Sequence, residues 1–225
     1  MRTLDDLLEM SPWTAGLSAA ERVRVRAEST ARDFAAGAFV CRKGEPADCW
    51  VGVADGLVKL NVFSASGKTA TFAGVPAGGW FGEGSVLKRE LRKYDVVALR
   101  ESRVAFVPWA TFHWLLDTSI PFNRFVLNQL NERLRYFIGT LEHDRLLGPD
   151  ARVARSLAAL FDPLLYPGTR TQLAISQEEL GHLAGISRQR ANQALKTLEA
   201  AGLLRVEYNG VTVLDLPGLH AFDAS

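Results

Sequence analysis

The spacing of apolar residues changes character several times along this chain. Residues 1 to about 30 read as helical, and Ser18 with Glu21 in S-A-A-E has the form of a capping box. The run Val23-Arg24-Val25-Arg26 interrupts a clean helical stripe there. From about residue 32 to 110, short apolar runs alternate with Gly, Pro and Ser. AFVCRKGEPAD, WVGVADGLVKLNVF, SASGKTATFAGVPAGGWFGEGS and YDVVALRESRVAFVP are each strand-like. Turn signals recur every 8–12 residues or so, which predicts a β-sandwich, barrel or jelly roll. Gly44, Gly56, Gly67 and the pair Gly78-Gly79 fall where turns are needed.

Pro121 then opens PFNRFVLNQLNERLRYFIGTLEHDRLL, a long segment with few breakers. Leu127, Leu130, Leu134, Phe137 and Leu141 recur in alternating steps of three and four, an a/d-like seam. A helix packed only on its own sandwich would carry one such stripe. A second apolar flank (Phe125, Val126, Ile138) leaves enough surface for a partner helix as well, and favours a homodimer. Gly139 is a weak point within it. Gly148-Pro149-Asp150 is a break, with Asp150 a candidate cap for ARVARSLAALF, and Asp162-Pro163 ends that helix before the loop PLLYPGTR. The expected organisation is α+β: a β-domain with N-terminal helices over 1–118, a dimerisation helix over 119–147 and a second domain over 148–225.

The segment SQEELGHLAGISRQRANQALKTLEAA, 176–201, meets several position-specific demands together. Ser176 and Glu179 form a capping box. Gly181 is small where two helices approach, Gly185 makes the tight turn, Ile186 plugs the corner and Ser187 caps the second helix. Ala191, Ala194, Leu195 and Leu198 make its inner stripe. Arg188, Gln189, Asn192, Gln193 and Lys196 make the outer one, rich in amide and guanidinium donors rather than the Glu/Lys mixture of a merely solvated face. This is a helix-turn-helix with a polar recognition face for double-stranded DNA. Arg190 and Lys196 are placed for phosphates. Gly202 stops the helix, and Asn209-Gly210 between LLRVEY and VTVLDL predicts a type I′ hairpin, hence a wing. Arg205 and that turn could touch phosphates, although a purely structural hairpin reads almost as well.

Composition narrows the classes. Of 225 residues, 48% are hydrophobic and 23% charged, which excludes bulk disorder. No apolar run approaches the roughly 18 residues of a membrane span, and the acidic start MRTLDDLLEM argues against export, placing the protein in the cytoplasm. The net charge of +1 supplies no global field for nucleic acid, so any DNA contact must come from local placement. Cys41 and Cys49 are too few for a disulfide framework or a four-thiolate cluster. An enzyme on a cupin-like jelly roll would need clustered His and carboxylate ligands, yet only His113 lies near the β-region. G-E-G-S at 82–85 is not a nucleophile elbow. A cyclic-nucleotide-type sensor that binds a protein instead of DNA is the other alternative, and the outer stripe at 188–196 argues against it.

A turn-rich β-domain, one long helix and a winged helix-turn-helix, in that order, resemble the CRP/FNR family of bacterial transcription regulators over nearly the whole chain. RKGEPAD, VADGLVKL, the G-W-F-G-E run at 79–83 and ISQEELGHLAGISRQRANQALKTLEAAGLL carry the resemblance. It implies a cyclic-nucleotide-binding-like β jelly roll, a homodimer along the long helix, a palindromic DNA site and an effector in the β-domain, with RNA polymerase a further partner through the loop DPLLYPGTR. Family members that bind cyclic AMP pair Gly-Glu with a later Arg-Ser. Here Gly82-Glu83 is present, Lys93-Tyr94 stand at the later positions, and Phe137-Ile138 stand where a Thr-Ser pair meets adenine. These departures argue against cyclic AMP. The basic run KRELRKYD, 88–95, fits either a solvated loop or an anionic effector, a nucleotide included. Gly82, Glu83, Ser85, Arg92, Lys93, Tyr94 and Phe137 are the candidate effector residues. The family's N-terminal cysteine cluster for iron and sulfur is absent, and His113 and His143 are candidates for a haem ligand, although a lone histidine is more often structural or exposed.

Overall fold

Strand β3 shows why the β-domain reads as unbroken apolar runs. In the computed structural model, which describes residues 1–63 and 69–223, alternate side chains of β3 enter two different cores. Three helices come first: α1 (Leu4–Met10), α2 (Pro12–Ala15) and α3 (Ala19–Glu28). The strands β1 (Thr30–Phe34), β2 (Phe39–Cys41), β3 (Cys49–Asp55), β4 (Leu57–Phe63), β5 (Thr69–Pro76) and β6 (Trp80–Phe81) follow. Helix α4 (Glu83–Lys88), β7 (Asp95–Ala98), β8 (Ser102–Pro108) and α5 (Trp109–Thr118) complete the domain. Two antiparallel four-stranded sheets, β1-β8-β3-β6 and β2-β7-β4-β5, pack face to face. Val51, Val53 and Val104 of the first meet Val58, Leu60, Val75 and Val96 of the second. Trp50, Ala54, Ala105 and Val107 point the other way, into a core shared with the N-terminal helices. There Trp13, Trp50, Trp80 and Phe122 interlock with ring centroids 4.3–5.8 Å apart.

Ser18 and Glu21 cap α3 reciprocally as expected. Gly44, Gly56 and Gly78 all take positive φ, whereas Gly67 lies outside the described residues. The stretch expected to stay extended through GEGS instead turns helical at Glu83, because Gly82 adopts φ 86° and starts α4.

Helix α6 (Ile120–Leu146) spans 27 residues, about 40 Å at 1.5 Å per residue. Its inner stripe is Phe122, Val126, Gln129 and Arg133, buried on the β-domain. Leu127, Leu134, Ile138 and Leu141 lie exposed on the other side, with Phe137 at their edge. Leu130 is partly buried on the β-domain core. The C-terminal unit comprises α7 (Pro149–Ala159), β9 (Gln172–Leu173), α8 (Gln177–Ala184), α9 (Arg188–Ala200), β10 (Leu204–Glu207), β11 (Gly210–Val213) and α10 (Leu216–Ala221). Its core joins Leu157, Leu180, Leu195, Leu198 and Val211, and takes in Leu57 from the β-domain.

Two local expectations are corrected. Gly148, not Asp150, is the N-cap of α7; Asp150 lies in its first turn and pairs with Arg190. The hairpin between β10 and β11 turns over Tyr208-Asn209, with Glu207 opposite Gly210, and neither turn residue has the positive φ of a type I′ turn. Gly210 serves a different need: a Cβ there would strike the Leu173 carbonyl of β9.

Candidate nucleic-acid interface and buried pocket

The helix-turn-helix is assembled by local rules. Ser176 and Glu179 close the capping box at the start of α8, and Gly185 ends it at φ 65°. Gly181 lets the turn approach, since a Cβ there would lie 2.9 Å from the Ile186 carbonyl. Ser187 accepts a hydrogen bond from the Arg190 N–H at 3.2 Å and starts α9. Ala191, Ala194, Leu195 and Leu198 are buried, which fixes the rotation of α9. Ser187, Arg188, Gln189, Gln193 and Lys196 therefore point outward and are exposed.

Two of the expected DNA-contacting residues are held back, Asn192 of the outer stripe and the phosphate candidate Arg190. Asn192 is half-buried and accepts a hydrogen bond from the Gln177 amide at 3.0 Å. Arg190 pairs with Asp150 on α7, which tethers its guanidinium to the body of the domain. Gln177, at the N-terminus of α8, was not among the expected residues; its place one step after a capping serine is the signal that marks it. Arg205 pairs with Glu207 within the wing, and Tyr208 at its tip is fully exposed.

The effector candidates separate into two groups. Gly82, Glu83 and Arg92 come together inside the β-domain, with Tyr94 beside them. Glu83 is buried, and its Oε1 accepts from Arg133 Nε of α6 at 2.9 Å. Arg92 is buried next to Gly82 and donates to the Cys49 carbonyl at 3.0 Å. Tyr94 is pushed up to about 12 by burial and by the neighbouring Glu83 carboxylate. Lys93 faces solvent and pairs with Glu90. The cation that reaches the interior is thus Arg92, one position earlier than residue counting from Gly82-Glu83 indicates. Ser85 is half-buried on α4, and Phe137 lies largely exposed on α6, against Tyr136.

Arg133 is the residue of this buried cluster that sequence reading missed. It follows Phe122, Val126 and Gln129 on the inner stripe of α6, so a charged residue at an apolar period was the available signal. Its Nη2 donates to the Trp80 carbonyl, which also accepts from Gln129 at 3.0 Å. Burial opposes the Arg133 charge, but Glu83, Tyr166 and Tyr94 around it more than offset this and hold its pKa above the ordinary arginine value. Glu83 Oε2, Arg133 Nη1, the Tyr166 hydroxyl and both amide atoms of Asn61 are buried without a hydrogen-bond partner among the described residues. Such atoms are costly unless something pairs with them. Cys41 nearby is pushed up to about 11 by burial, which keeps its thiol protonated and inert. Among the described residues, no group of three or more His, Cys, Asp and Glu is placed to hold a metal ion, and no helix is long and apolar enough to cross a membrane.

Residues 31–119 match the cyclic nucleotide-binding domain family, and residues 151–222 match the Crp-like helix-turn-helix domain family. The chain is 25% identical over 183 residues to the cAMP-activated global transcriptional regulator Vfr of Pseudomonas aeruginosa, covering 78% of this chain and 85% of that one. It is 27% identical over 187 residues to a CRP-like cAMP-activated global transcriptional regulator of Mycobacterium tuberculosis, covering 81% and 83%. Among solved structures, FixK2 from Bradyrhizobium japonicum superposes with a TM-score of 0.73 at 18% identity, over 88% of this chain and 98% of that one, a likeness of fold. The c-di-GMP responsive global regulator CLP of Xanthomonas campestris gives a TM-score of 0.63 at 25% identity, over 87% and 99%.

Proposed function

Because this chain belongs to the CRP/FNR family of transcription regulators, we propose that it works in the cytoplasm as a homodimer, reads a palindromic DNA site with α9, and takes an anionic effector in its β-domain. It is a DNA-binding regulator of transcription. The observation that carries the readout is the rotation of α9: an alanine and leucine stripe locks one face inward, so Arg188, Gln189, Gln193 and Lys196 all project from the other. Arg188 opens the helix, where a guanidinium fork suits guanine O6 and N7, and the two glutamines suit adenine N6 and N7. Lys196 holds phosphate.

The exposed apolar stripe Leu127, Leu134, Ile138 and Leu141 supports pairing of α6 with its counterpart in a second copy. Such pairing sets the spacing of two recognition helices along one face of the duplex. For the effector, the support is the donor set: Arg92 and Arg133 offer guanidinium N–H groups to an anion, and Glu83 Oε2 offers an acceptor to a ligand hydroxyl. The test is selection from a random duplex library, followed by anisotropy on the selected site at two salt concentrations, with cyclic AMP and cyclic di-GMP added in separate arms. A palindromic selected motif bound by a dimer is the expected outcome. Binding without sequence preference overturns the readout.

A further inference from the structure

Leu165 and Tyr166 belong to the segment between α7 and β9, yet both side chains are buried in the core of the β-domain. Their seat is shaped to receive them. A Cβ on Gly79 would lie 2.8 Å from the Tyr166 ring, so only glycine leaves room for it. The backbones at Gly78 and Gly168 touch: a Cβ at Gly78 would strike Gly168, and one at Gly168 would strike the Ala77 carbonyl. Around this point Arg100 of the β-domain pairs with Glu179 of α8 at 3.1 Å. Leu160 and Leu183 close over Gly74 of β5.

The contact is well packed but poorly satisfied. The Tyr166 hydroxyl lies against the Arg133 guanidinium, yet neither it nor Arg133 Nη1 finds a well-aligned hydrogen bond among the described residues. Tyr166 therefore meets the guanidinium as a neutral, poorly aligned acceptor. An anionic ligand acceptor at Nη1 makes a charge-assisted bond, which is the stronger kind, and gains by displacing it. A ligand shifts such an equilibrium only by its differential affinity for the two states, and this guanidinium is where the difference resides.

We propose that residues 162–169 are a latch: Tyr166 plugs the β-domain pocket of its own chain and holds the helix-turn-helix against the β-domain, and an anionic ligand that takes Arg133 expels it. This rests on the regulator reading above. It adds that the DNA-binding unit is itself the gate of the effector pocket.

The test uses the full-length protein without added ligand and three variants: Tyr166→Ala, Gly78→Ala and, as control, Leu164→Ala, an exposed neighbour in the same segment. Hydrogen exchange reports whether the amides of Tyr166 and Thr169, bonded to Asp162 and Tyr166 carbonyls, lose protection. Anisotropy reports affinity for the selected duplex. Tyr166→Ala and Gly78→Ala should exchange faster and bind DNA about tenfold more tightly, while Leu164→Ala matches wild type. Gly78→Ala lies outside the pocket, so it keeps the test open if Tyr166→Ala does not fold. Wild-type exchange in both variants, or released segments with wild-type DNA affinity, overturns the latch alone. No duplex binding by any of the four proteins overturns the regulator reading and the latch with it.

Discussion

Arg188 and Arg133 put the same side chain to opposite uses. Arg188 stands exposed at the start of α9, with its neighbours arranged so that its guanidinium stays available. Arg133 is buried, committed to Glu83 and the Trp80 carbonyl, and leaves one N–H unpaired. The difference teaches where each kind of function is stored. A surface reader depends on one helix being rotated correctly, which local packing secures. A buried site depends on groups from α4, the α4–β7 segment, α6 and the α7–β9 segment converging, so it is bound up with the stability of the whole fold.

The sharpest way to break that contrast is to truncate both arginines. Arg133→Ala strands the Glu83 carboxylate in the interior, and removing one partner of a buried pair costs about 3–5 kcal/mol. Arg188→Ala, at the surface, should change stability by about 0.5 kcal/mol at most. Urea unfolding of both variants reads the difference directly, and equal midpoints would show that Arg133 is not structurally committed.

The reader-and-pocket pair was not equally visible beforehand. Everything that shapes α8 and α9 lies within residues 176–202, so cap, turn glycine, corner and inner stripe could be read as a set, and all recur in the structure. The pocket joins Glu83, Arg92, Arg133 and Tyr166, far apart in the chain. Counting from Gly82-Glu83 pointed to Lys93, because counting does not see that α4 and the left-handed Arg89 at φ 50° swing Arg92 inward. Turn spacing made a β-sandwich, barrel or jelly roll legible, and the family resemblance narrowed it to the jelly roll. The hairpin turn was misplaced because Gly210 is needed against β9, a long-range demand that overrides the local Asn-Gly preference.

A second break concerns α6, which serves both regions. Leu134→Asp, one residue from Arg133 but on the exposed stripe, should leave the fold intact and dissociate the proposed dimer. Burial of a leucine contributes about 1.5–3 kcal/mol on each side of a two-fold interface. Sedimentation velocity gives the answer, and a variant that still sediments as a stable dimer sinks the stripe as the interface.

Within the reader itself, Arg188→Ala should cost about 1–3 kcal/mol per half-site and relax preference at one base pair, while Lys196→Ala weakens all sequences alike and lowers the salt slope. Library selection with each variant separates the two, and an unchanged motif from Arg188→Ala would deny that residue a base contact.

The smallest effect lies at the junction of α6, α7 and α10. His143 and His220 have pKa values below the usual 6.5, chiefly through burial and then through Arg155, with Arg135, Arg152, Asp144 and Asp162 also facing this cleft. As pH falls through that range the unfolded chain takes up protons first, so the folded state loses stability. Thermal melts between pH 8 and pH 5 should show a decline that the double variant His143→Gln, His220→Gln reduces. An identical decline in that variant would place the titrating groups elsewhere.

The pairing of β1 with β8 carries a consequence for how the chain is made. Thr30 lies opposite Phe106 and Phe34 opposite Ser102, so the first strand waits for most of the domain to emerge from the ribosome before its edge is covered. Pairings of such large sequence separation form slowly. During that interval Trp13 of the N-terminal helices and Trp50 of β3 are without Phe122, which arrives later still. The nascent β-domain thus passes through a stage with bare strand edges and uncovered aromatic surface, the species on which chaperone engagement and aggregation would compete.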